Sequence, residues 1–181
     1  MDVKRFLPEC DIDTLIVHTI LQSKLPPNHK KNINKVVAAM KNDYAGQFCV
    51  GIVDIVKDFN NFKKGFYKIN NYGDELLLYK HDNHQQYLVY IKDGAERFIW
   101  NCCQSANVDL TLYGLPNSYE NLVQISKHPL RWTHEQKSNF KRLFKELIKI
   151  KNNGFYVLSN WICYLNEKRE KSDEQEIIKL N

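Results

Sequence analysis

The sequence lacks the features of a membrane or secreted protein. None of its apolar runs reaches the ~18 residues that a membrane helix needs, and the N-terminal segment has no apolar stretch typical of a secretory signal. Its five cysteines are an odd number, which fits a reduced compartment better than a disulfide framework. We therefore expect a soluble, cytoplasmic protein without a membrane segment.

Sequence motifs for several familiar chemistries are also missing. There is no glycine-rich phosphate loop and no nucleophile elbow, so ATP hydrolysis by a P-loop is not expected. The adjacent Cys102 and Cys103 lack the spacing of a zinc site. What remains is an ordinary globular composition, with 43% hydrophobic residues in a chain of 181 residues that suits one domain.

Positive charge is concentrated in one stretch of the chain. The net charge is +5, yet residues 127–151 alone hold eight basic and two acidic residues. Lysines recur at every fourth position on one face of a predicted helix, at Lys137, Lys141, Lys145 and Lys149. Such a face can bind phosphate backbones without regard to sequence, and a solvated helix face explains the same lysines equally well.

Hydrophobic periodicity predicts an α/β arrangement in the first half of the chain. A short buried strand at 3–7 leads to a helix that begins at Asp11, and a second strand follows at 48–53. The run 48–53 is apolar throughout, which is typical of a strand buried on both faces of a parallel sheet. After a polar excursion at 54–73, two more strands are predicted, either as a hairpin or as parallel neighbours.

The second half of the chain is predicted to be helical. Thr133 and Gln136 have the spacing of a capping box at the start of a long helix. We expect three parts: an α/β core over residues 1–110, a helical extension packed on it over residues 111–170, and a charged tail over residues 171–181 that frays.

Acidic residues follow the first two predicted strands. Glu9 and Asp13 lie where the first strand meets the first helix, and Asp54 and Asp58 follow the most apolar strand. Because the carboxyl ends of parallel strands meet at one edge of a sheet, we expect these acids to lie together. Their oxygens suit Mg²⁺ or Mn²⁺, which bind phosphate oxygens. Alternatively, each acid caps a helix or bonds loop amides.

Lys80 and two histidines close the next predicted strand. If that strand is a parallel neighbour, Lys80, His81 and His84 line the same edge as the acids, where Lys80 would contact phosphate and a histidine would move protons. A hairpin with surface histidines is the alternative.

This order of residues resembles the Toprim domain of topoisomerases, primases and the overcoming-lysogenization-defect nucleases. The shared pattern is a strand ending in Glu9, an acid four residues later at Asp13, and an apolar strand ending in Asp54. The resemblance covers roughly residues 3–100 and extends to small Toprim-like proteins encoded beside an ATPase in bacterial phage-defence loci. It implies a mainly parallel, Rossmann-like sheet flanked by helices, a general acid or base at Glu9 and a divalent metal at Asp54.

The chain departs from the Toprim pattern at two positions. The glycine that follows the family's glutamate is Cys10 here, and the second aspartate of the family's Asp-x-Asp motif falls at Val56. Val56 cannot bind metal, so Asp58 is the residue that would replace that aspartate.

Two functional hypotheses follow. The first is a Mg²⁺- or Mn²⁺-dependent nuclease that cleaves DNA or RNA as the effector of a bacterial anti-phage system. The second is a catalytically inactive Toprim-like subunit that binds and regulates a partner ATPase, which the two departures favour. A nuclease of the restriction-endonuclease type fits less well, because no Glu-x-Lys motif follows the acidic strand. The sequence leaves oligomerisation open.

Under the nuclease hypothesis the residues take three roles. The catalytic residues are Glu9, Asp13 and Asp54; the metal ligands are Glu9, Asp54 and Asp58; and the nucleic-acid-binding residues are Lys80, Lys137, Lys141, Lys145 and Lys149. The lysines would steer the polyanion toward the acids.

Overall fold

A computed structural model describes residues 2–54, 62–127 and 133–180 of the chain. The strands in these ranges are β1 (Phe6–Pro8), β2 (Cys49–Asp54), β3 (Phe66–Tyr72), β4 (Leu76–His81) and β5 (Gln86–Ile91). The α-helices are α1 (Asp11–Leu21), α2 (Ile33–Lys41), α3 (Ala95–Ser105), α4 (Tyr119–Ser126), α5 (His134–Lys149), α6 (Gly154–Lys168) and α7 (Glu174–Ile178).

The five strands form one mixed sheet in the order β1-β2-β5-β4-β3. β1, β2 and β5 run parallel, whereas β4 pairs antiparallel with both β5 and β3. Parallel neighbours need a crossover connection, which α1 and α2 supply between β1 and β2. The expected α/β fold with a helical C-terminal part is therefore confirmed, while the sheet is mixed where the family resemblance implied a mainly parallel one.

β2 lies in the middle of the parallel strands and is covered on both faces. Val50 and Ile52 belong to the larger apolar core, whereas Cys49 and Val53 belong to a smaller core on the other face of the sheet. This two-sided burial explains why the whole strand is apolar.

The larger core joins the sheet to α1, α3, α5 and α6. Its largest fully buried side chains are aromatic: Phe6, Phe48, Tyr87, Phe98, Phe140, Phe144, Phe155 and Trp161. On the other face, α2 packs Val36 and Met40 over the sheet beside Leu7 and Leu88. The helical extension thus shares one continuous core with the α/β part.

The C-terminal segment is docked where the sequence led us to expect a frayed tail. Ile177 in α7 is completely buried, and the side-chain amide of Asn70 in β3 donates to its carbonyl at 2.8 Å. The expectation of fraying was wrong because Ile177 enters the larger core, and polar contacts such as that of Asn70 add to its attachment to the sheet. None of the helices in the described ranges combines the length and apolar character that a membrane crossing requires.

Candidate metal centre

Glu9 and Asp54 meet at the carboxyl edge of β1 and β2. The backbone N–H of Glu9 donates to the carbonyl of Ile52 at 2.9 Å and so continues the pairing of the two strands. The backbone N–H of Asp54 donates to Glu9 Oε2 at 3.2 Å. The two acids that the strand pattern assigned to one edge therefore lie in direct contact.

Asp13 is held in the first turn of α1 by a reciprocal capping arrangement. The Cys10 N–H donates to Asp13 Oδ2 at 3.3 Å, and the Asp13 N–H donates to Cys10 Sγ at 3.5 Å. Asp13 is completely buried, and its Oδ1 has no hydrogen-bond partner within the described residues. A buried polar atom left unpaired costs about 1–3 kcal/mol, and more when it is charged. A cation bound at Oδ1 would remove this cost.

Helix N-termini surround Glu9, Asp13 and Asp54, which we call the acidic cluster. Asp13 lies in the first turn of α1, and the N–H of Ala95 at the start of α3 donates to Asp54 Oδ2 at 3.2 Å. A backbone hydrogen bond from Ile33, the first residue of α2, acts on the Glu9 carboxylate. The positive ends of three helix dipoles therefore face the cluster and favour negative charge there.

Burial nevertheless opposes ionisation of the acidic cluster. The pKa of Glu9 is raised from 4.5 to about 7, first by burial and then by the charge of Asp54, while the backbone N–H groups of Asp54 and Ile33 oppose the rise. Burial, followed by the charge of Asp54, raises the pKa of Asp13 well above its ordinary value. The pKa of Asp54 is also raised, mainly by burial and in addition by the nearby Glu96.

No lysine, arginine or histidine in the described ranges forms an ion pair with the acidic cluster. With raised pKa values and no positive partner among the described residues, the three carboxyl groups hold their protons to higher pH than free carboxyl groups do. A divalent cation would supply the missing counter-charge and displace the protons that the carboxyl groups retain.

The chemistry of the donors fits a metal ion. Cys10 Sγ and one carboxylate oxygen each from Asp13 and Asp54 lie within 4.8 Å of one another. Glu9 lies beside this set, through its contact with the Asp54 N–H. Asp58, the fourth acid that the sequence assigned to the metal, falls outside the described residues.

Two members of the site were missed by the sequence analysis. In the family pattern Cys10 is only a departure, yet its sulfur belongs to the set of candidate ligands. Glu96 was not considered, although it acts on Asp54 and its own Oε1 accepts a hydrogen bond from Ser126 Oγ at 2.5 Å. Its position just after β5 was a usable signal, because β5 ends at the same edge as β2.

Lys80 lies at the opposite edge of the sheet. β4 runs antiparallel, so Lys80 pairs with Tyr87, and Tyr87 pairs with Val50, four residues or about 13 Å of strand before Asp54. The expectation that Lys80, His81 and His84 share an edge with the acids is wrong, and the hairpin alternative is correct. Lys80 Nζ instead contacts Glu174 Oε1 in α7 at 2.8 Å.

The four lysines of α5 divide into two pairs. Lys137 and Lys141 line a groove of about 300 Å³ with Asp11 and Thr14 of α1, close in sequence to Asp13. Lys145 and Lys149 lie farther along α5, toward its C-terminus, and are exposed there; Lys149 pairs with Glu146. The first pair is therefore the one that adjoins the helix carrying part of the acidic cluster.

Polar residues gathered at the carboxyl ends of parallel strands are a general feature of α/β binding sites. The present cluster shares that position, and what the chain does must be inferred from its own side chains. No protein-family model, curated protein or solved structure matches this chain.

Proposed function

We propose that this chain is a metal-dependent nuclease of the Toprim-like type, which cleaves phosphodiester bonds of DNA or RNA with Mg²⁺ or Mn²⁺. The observation that carries the proposal is the convergence of Glu9, Asp13 and Asp54 at one edge of parallel strands, without a cationic partner in the described ranges. The order of strand, glutamate, helix acid and second strand agrees with a Toprim-like core.

Each member of the acidic cluster has a chemical role in this proposal. Asp13 and Asp54 supply metal ligands, and the Asp13 oxygen without a partner is the atom that most needs one. A divalent ion bound there would offset the charge that develops on a phosphodiester during cleavage. Glu9, whose pKa is raised to about 7 in the metal-free chain, is the carboxyl group placed to accept a proton from water or return one to the leaving oxygen.

The groove between α1 and α5 is the proposed approach for the nucleic acid. Lys137 and Lys141 place two positive charges along it, and neutralising phosphates with lysine gives an affinity that falls as salt rises. We also propose that the chain acts as the effector of an anti-phage system, and this role is proposed from the family resemblance alone. The chemistry of the site would be the same without it.

The test is cleavage of supercoiled plasmid, single-stranded DNA and total RNA by the purified protein with Mn²⁺ or Mg²⁺. We expect Glu9→Gln and Asp54→Asn to lower the rate by about 10²-fold or more. Asp82→Asn is the matched control, because Asp82 is an exposed acid in the turn at the opposite edge of the sheet. Cleavage that survives unchanged in Glu9→Gln and Asp54→Asn would contradict the proposal.

A second candidate function is a catalytically inactive subunit that docks on a partner ATPase. The observation that favours it is that each carboxylate of the acidic cluster already accepts a backbone N–H and so contributes to the fold without metal. The N–H of Asp54 donates to Glu9, that of Cys10 to Asp13, and that of Ala95 to Asp54. Such a subunit would show neither cleavage nor a rise in melting temperature with Mn²⁺. The wild-type chain and the Asp54→Asn variant would bind the ATPase with the same affinity.

A further inference from the structure

Cys10 occupies a position at which cysteine is not the best residue for the helix. It is the N-cap of α1, and its sulfur accepts the Asp13 N–H at a long 3.5 Å. Serine, threonine, aspartate and asparagine are the preferred N-caps because their oxygen accepts this bond at shorter range. A sulfur here therefore has a worse capping bond than a hydroxyl would have, and it calls for another role.

The other buried cysteines differ from Cys10 in their surroundings. Cys49 lies in the smaller apolar core, and Cys102 and Cys103 lie in the larger one, where a thiol packs as a small hydrophobic group. Cys10 is only partly buried and lies against two carboxylates, those of Asp13 and Asp54. Cys10 packs against the larger core as a structural cysteine does, yet it also lies among carboxylates as a metal ligand would.

We propose that Cys10 binds the metal ion through its thiolate, together with Asp13 and Asp54. The inference deepens the proposed function and rests on its metal centre, though not on nuclease activity. When the ion binds, the thiol S–H bond is exchanged for a sulfur–metal bond and the proton passes to solvent. The centre then favours ions that accept sulfur, so that Zn²⁺ binds more strongly than Mn²⁺ and Mn²⁺ more strongly than Mg²⁺.

The three donor atoms are grouped, but not yet at the spacing of a bound ion. They lie within 4.8 Å of one another. The donors of a tetrahedral Zn²⁺ lie about 3.4–3.6 Å apart, as Zn–S and Zn–O bonds of about 2.3 and 2.1 Å require. Binding would therefore draw side chains at the start of α1 and the end of β2 together by up to about 1.4 Å.

Asp13 supplies the independent observation that a ligand belongs here. Its carboxylate is completely buried while Oδ1 remains without a hydrogen-bond partner in the described ranges. Cys10 and Asp54, the other two donors, are only partly buried. An ion held by all three residues would be able to give the unpaired Asp13 oxygen its missing partner.

The test uses Cd²⁺, which resembles Zn²⁺ in charge and ligand preference and gives an ultraviolet charge-transfer band when a thiolate binds it. The full chain carrying Cys163→Ser is the starting protein, because Cys163 is the exposed thiol that would bind Cd²⁺ adventitiously. Into it we would introduce Cys10→Ser, whose hydroxyl preserves the helix cap, and separately Cys102→Ser as a buried control.

We expect the starting protein and the Cys102→Ser control to show the charge-transfer band at one Cd²⁺ per chain, and the Cys10→Ser variant to lack it. In calorimetry, Cys10→Ser should weaken Zn²⁺ binding at least about tenfold while changing Mg²⁺ binding far less. If Cys10 is purely structural, Cys10→Ser should change the affinities for Zn²⁺ and Mg²⁺ by the same factor or leave both unchanged.

The outcomes separate this inference from the metal centre itself. If Mn²⁺ binds wild type and is lost in Asp54→Asn, yet Cys10→Ser keeps both the Cd²⁺ band and the Zn²⁺ affinity, the carboxylate centre stands and the thiolate ligand is overturned. If no divalent ion binds the wild-type chain, both are overturned. A band that disappears only in Cys10→Ser supports the thiolate ligand whether or not the protein cleaves nucleic acid.

Discussion

Glu9 links the backbone of the sheet to the chemistry of its edge. Its N–H extends the pairing of β1 with β2, while its side chain accepts the N–H of Asp54 at the end of β2. The same residue is thus placed by strand pairing and buried by the helix ends around it. Its raised pKa is a direct result of that position.

The raised pKa of Glu9 has a defined effect on stability. In the unfolded chain the carboxyl loses its proton near pH 4.5, whereas the folded chain keeps it until about pH 7. Between these values the folded state binds more protons, so this group's contribution to the free energy of unfolding falls as pH rises and stays low above pH 7. Glu9→Gln removes this ionisation. Its effect on the free energy of unfolding, measured against wild type in metal-free protein, should therefore be more favourable at pH 8 than at pH 5.

The measurement is urea denaturation of wild type and Glu9→Gln in a chelating buffer at pH 5 and pH 8. The difference in free energy of unfolding between the two proteins should move in favour of Glu9→Gln at the higher pH. Glu120→Gln, an exposed acid in the first turn of α4, is the control and should show no such change. A Glu9→Gln variant that loses stability relative to wild type on going from pH 5 to pH 8 would count against the raised pKa.

The sequence was sufficient to bring Glu9 and Asp54 together, because the pairing of two short apolar strands determines where both strands end. It could not show that Asp13 is completely enclosed with an unpaired oxygen, since that depends on how α1 packs. The sulfur of Cys10 was missed for a related reason. A side chain's neighbours across an edge follow from three-dimensional packing and not from spacing along the chain.

At the scale of elements, α2 packs on β2 over a glycine. A Cβ atom added at Gly51 would lie 2.9 Å from both Met40 Sδ and Val36 Cγ1 and 3.0 Å from Leu88 Cδ1. These distances are shorter than ordinary van der Waals contact. The close approach of α2 to the sheet therefore depends on the missing side chain.

We expect Gly51→Ala to lower the free energy of unfolding by about 1–3 kcal/mol, because the added methyl overpacks this contact. Val36→Ala removes one of the three atoms that clash, so the double variant Gly51→Ala/Val36→Ala should be more stable than the sum of the two single effects by at least about 0.5 kcal/mol. Urea denaturation of the four proteins measures the coupling. Strictly additive effects would show that the contact does not limit the packing of α2.

Asn153 connects the last two long helices. Its side-chain amide donates to the carbonyls of Leu147 at 3.1 Å and Ile150 at 2.6 Å, and its Oδ1 accepts the N–H groups of Phe155 at 2.8 Å and Tyr156 at 3.0 Å. One almost fully buried side chain thus satisfies the end of α5 and the start of α6.

Asn153→Ala should lower the free energy of unfolding by about 2–4 kcal/mol, because it removes a helix cap and leaves buried carbonyl groups unpaired. The comparison is Ser118→Ala, which removes a single capping bond to Asn121 at the start of α4 and should cost about 1 kcal/mol. Both are measured by urea denaturation. Equal costs for the two variants would mean that the buried carbonyl groups find other partners.

Element by element, the sequence was a good guide wherever burial was one-sided or complete. The sequence predicts β2 because its run of apolar residues is uninterrupted, as in a strand buried on both faces. It predicts α5 because apolar residues recur there with the period of a helix. β3 lies within the segment for which the sequence predicts a polar excursion. It is an edge strand that carries Lys68, Asn70 and Asn71, so its burial pattern leaves little hydrophobic alternation to detect.

On the scale of the whole molecule, the C-terminal segment packs against β3 and β4. Ile177 enters the larger core, while Glu174 accepts hydrogen bonds from Tyr67 and Lys80. Asn70 completes the attachment through the Ile177 carbonyl. Lys80, which the sequence assigned to nucleic acid, is therefore engaged in holding the chain's own C-terminal helix.

Two adjacent isoleucines test this docking. Ile177 is fully buried and Ile178 is 47% exposed, so Ile177→Ala should lower the free energy of unfolding by about 2–5 kcal/mol. Ile178→Ala should change it by no more than about 0.5 kcal/mol. Urea denaturation of both variants is the measurement, and similar effects at the two positions would contradict the attachment of α7.

The most direct test of the account is calorimetric titration of Mn²⁺ into the metal-free protein, beside Asp54→Asn and the control Asp82→Asn. Asp54 reaches the acidic cluster from the end of β2, whereas Asp82 lies in the turn at the opposite edge of the sheet. We predict one ion bound per chain in the wild type and in Asp82→Asn, and binding lost in Asp54→Asn. An absence of binding heat in all three proteins, or equal binding in all three, would contradict a metal centre at the acidic cluster.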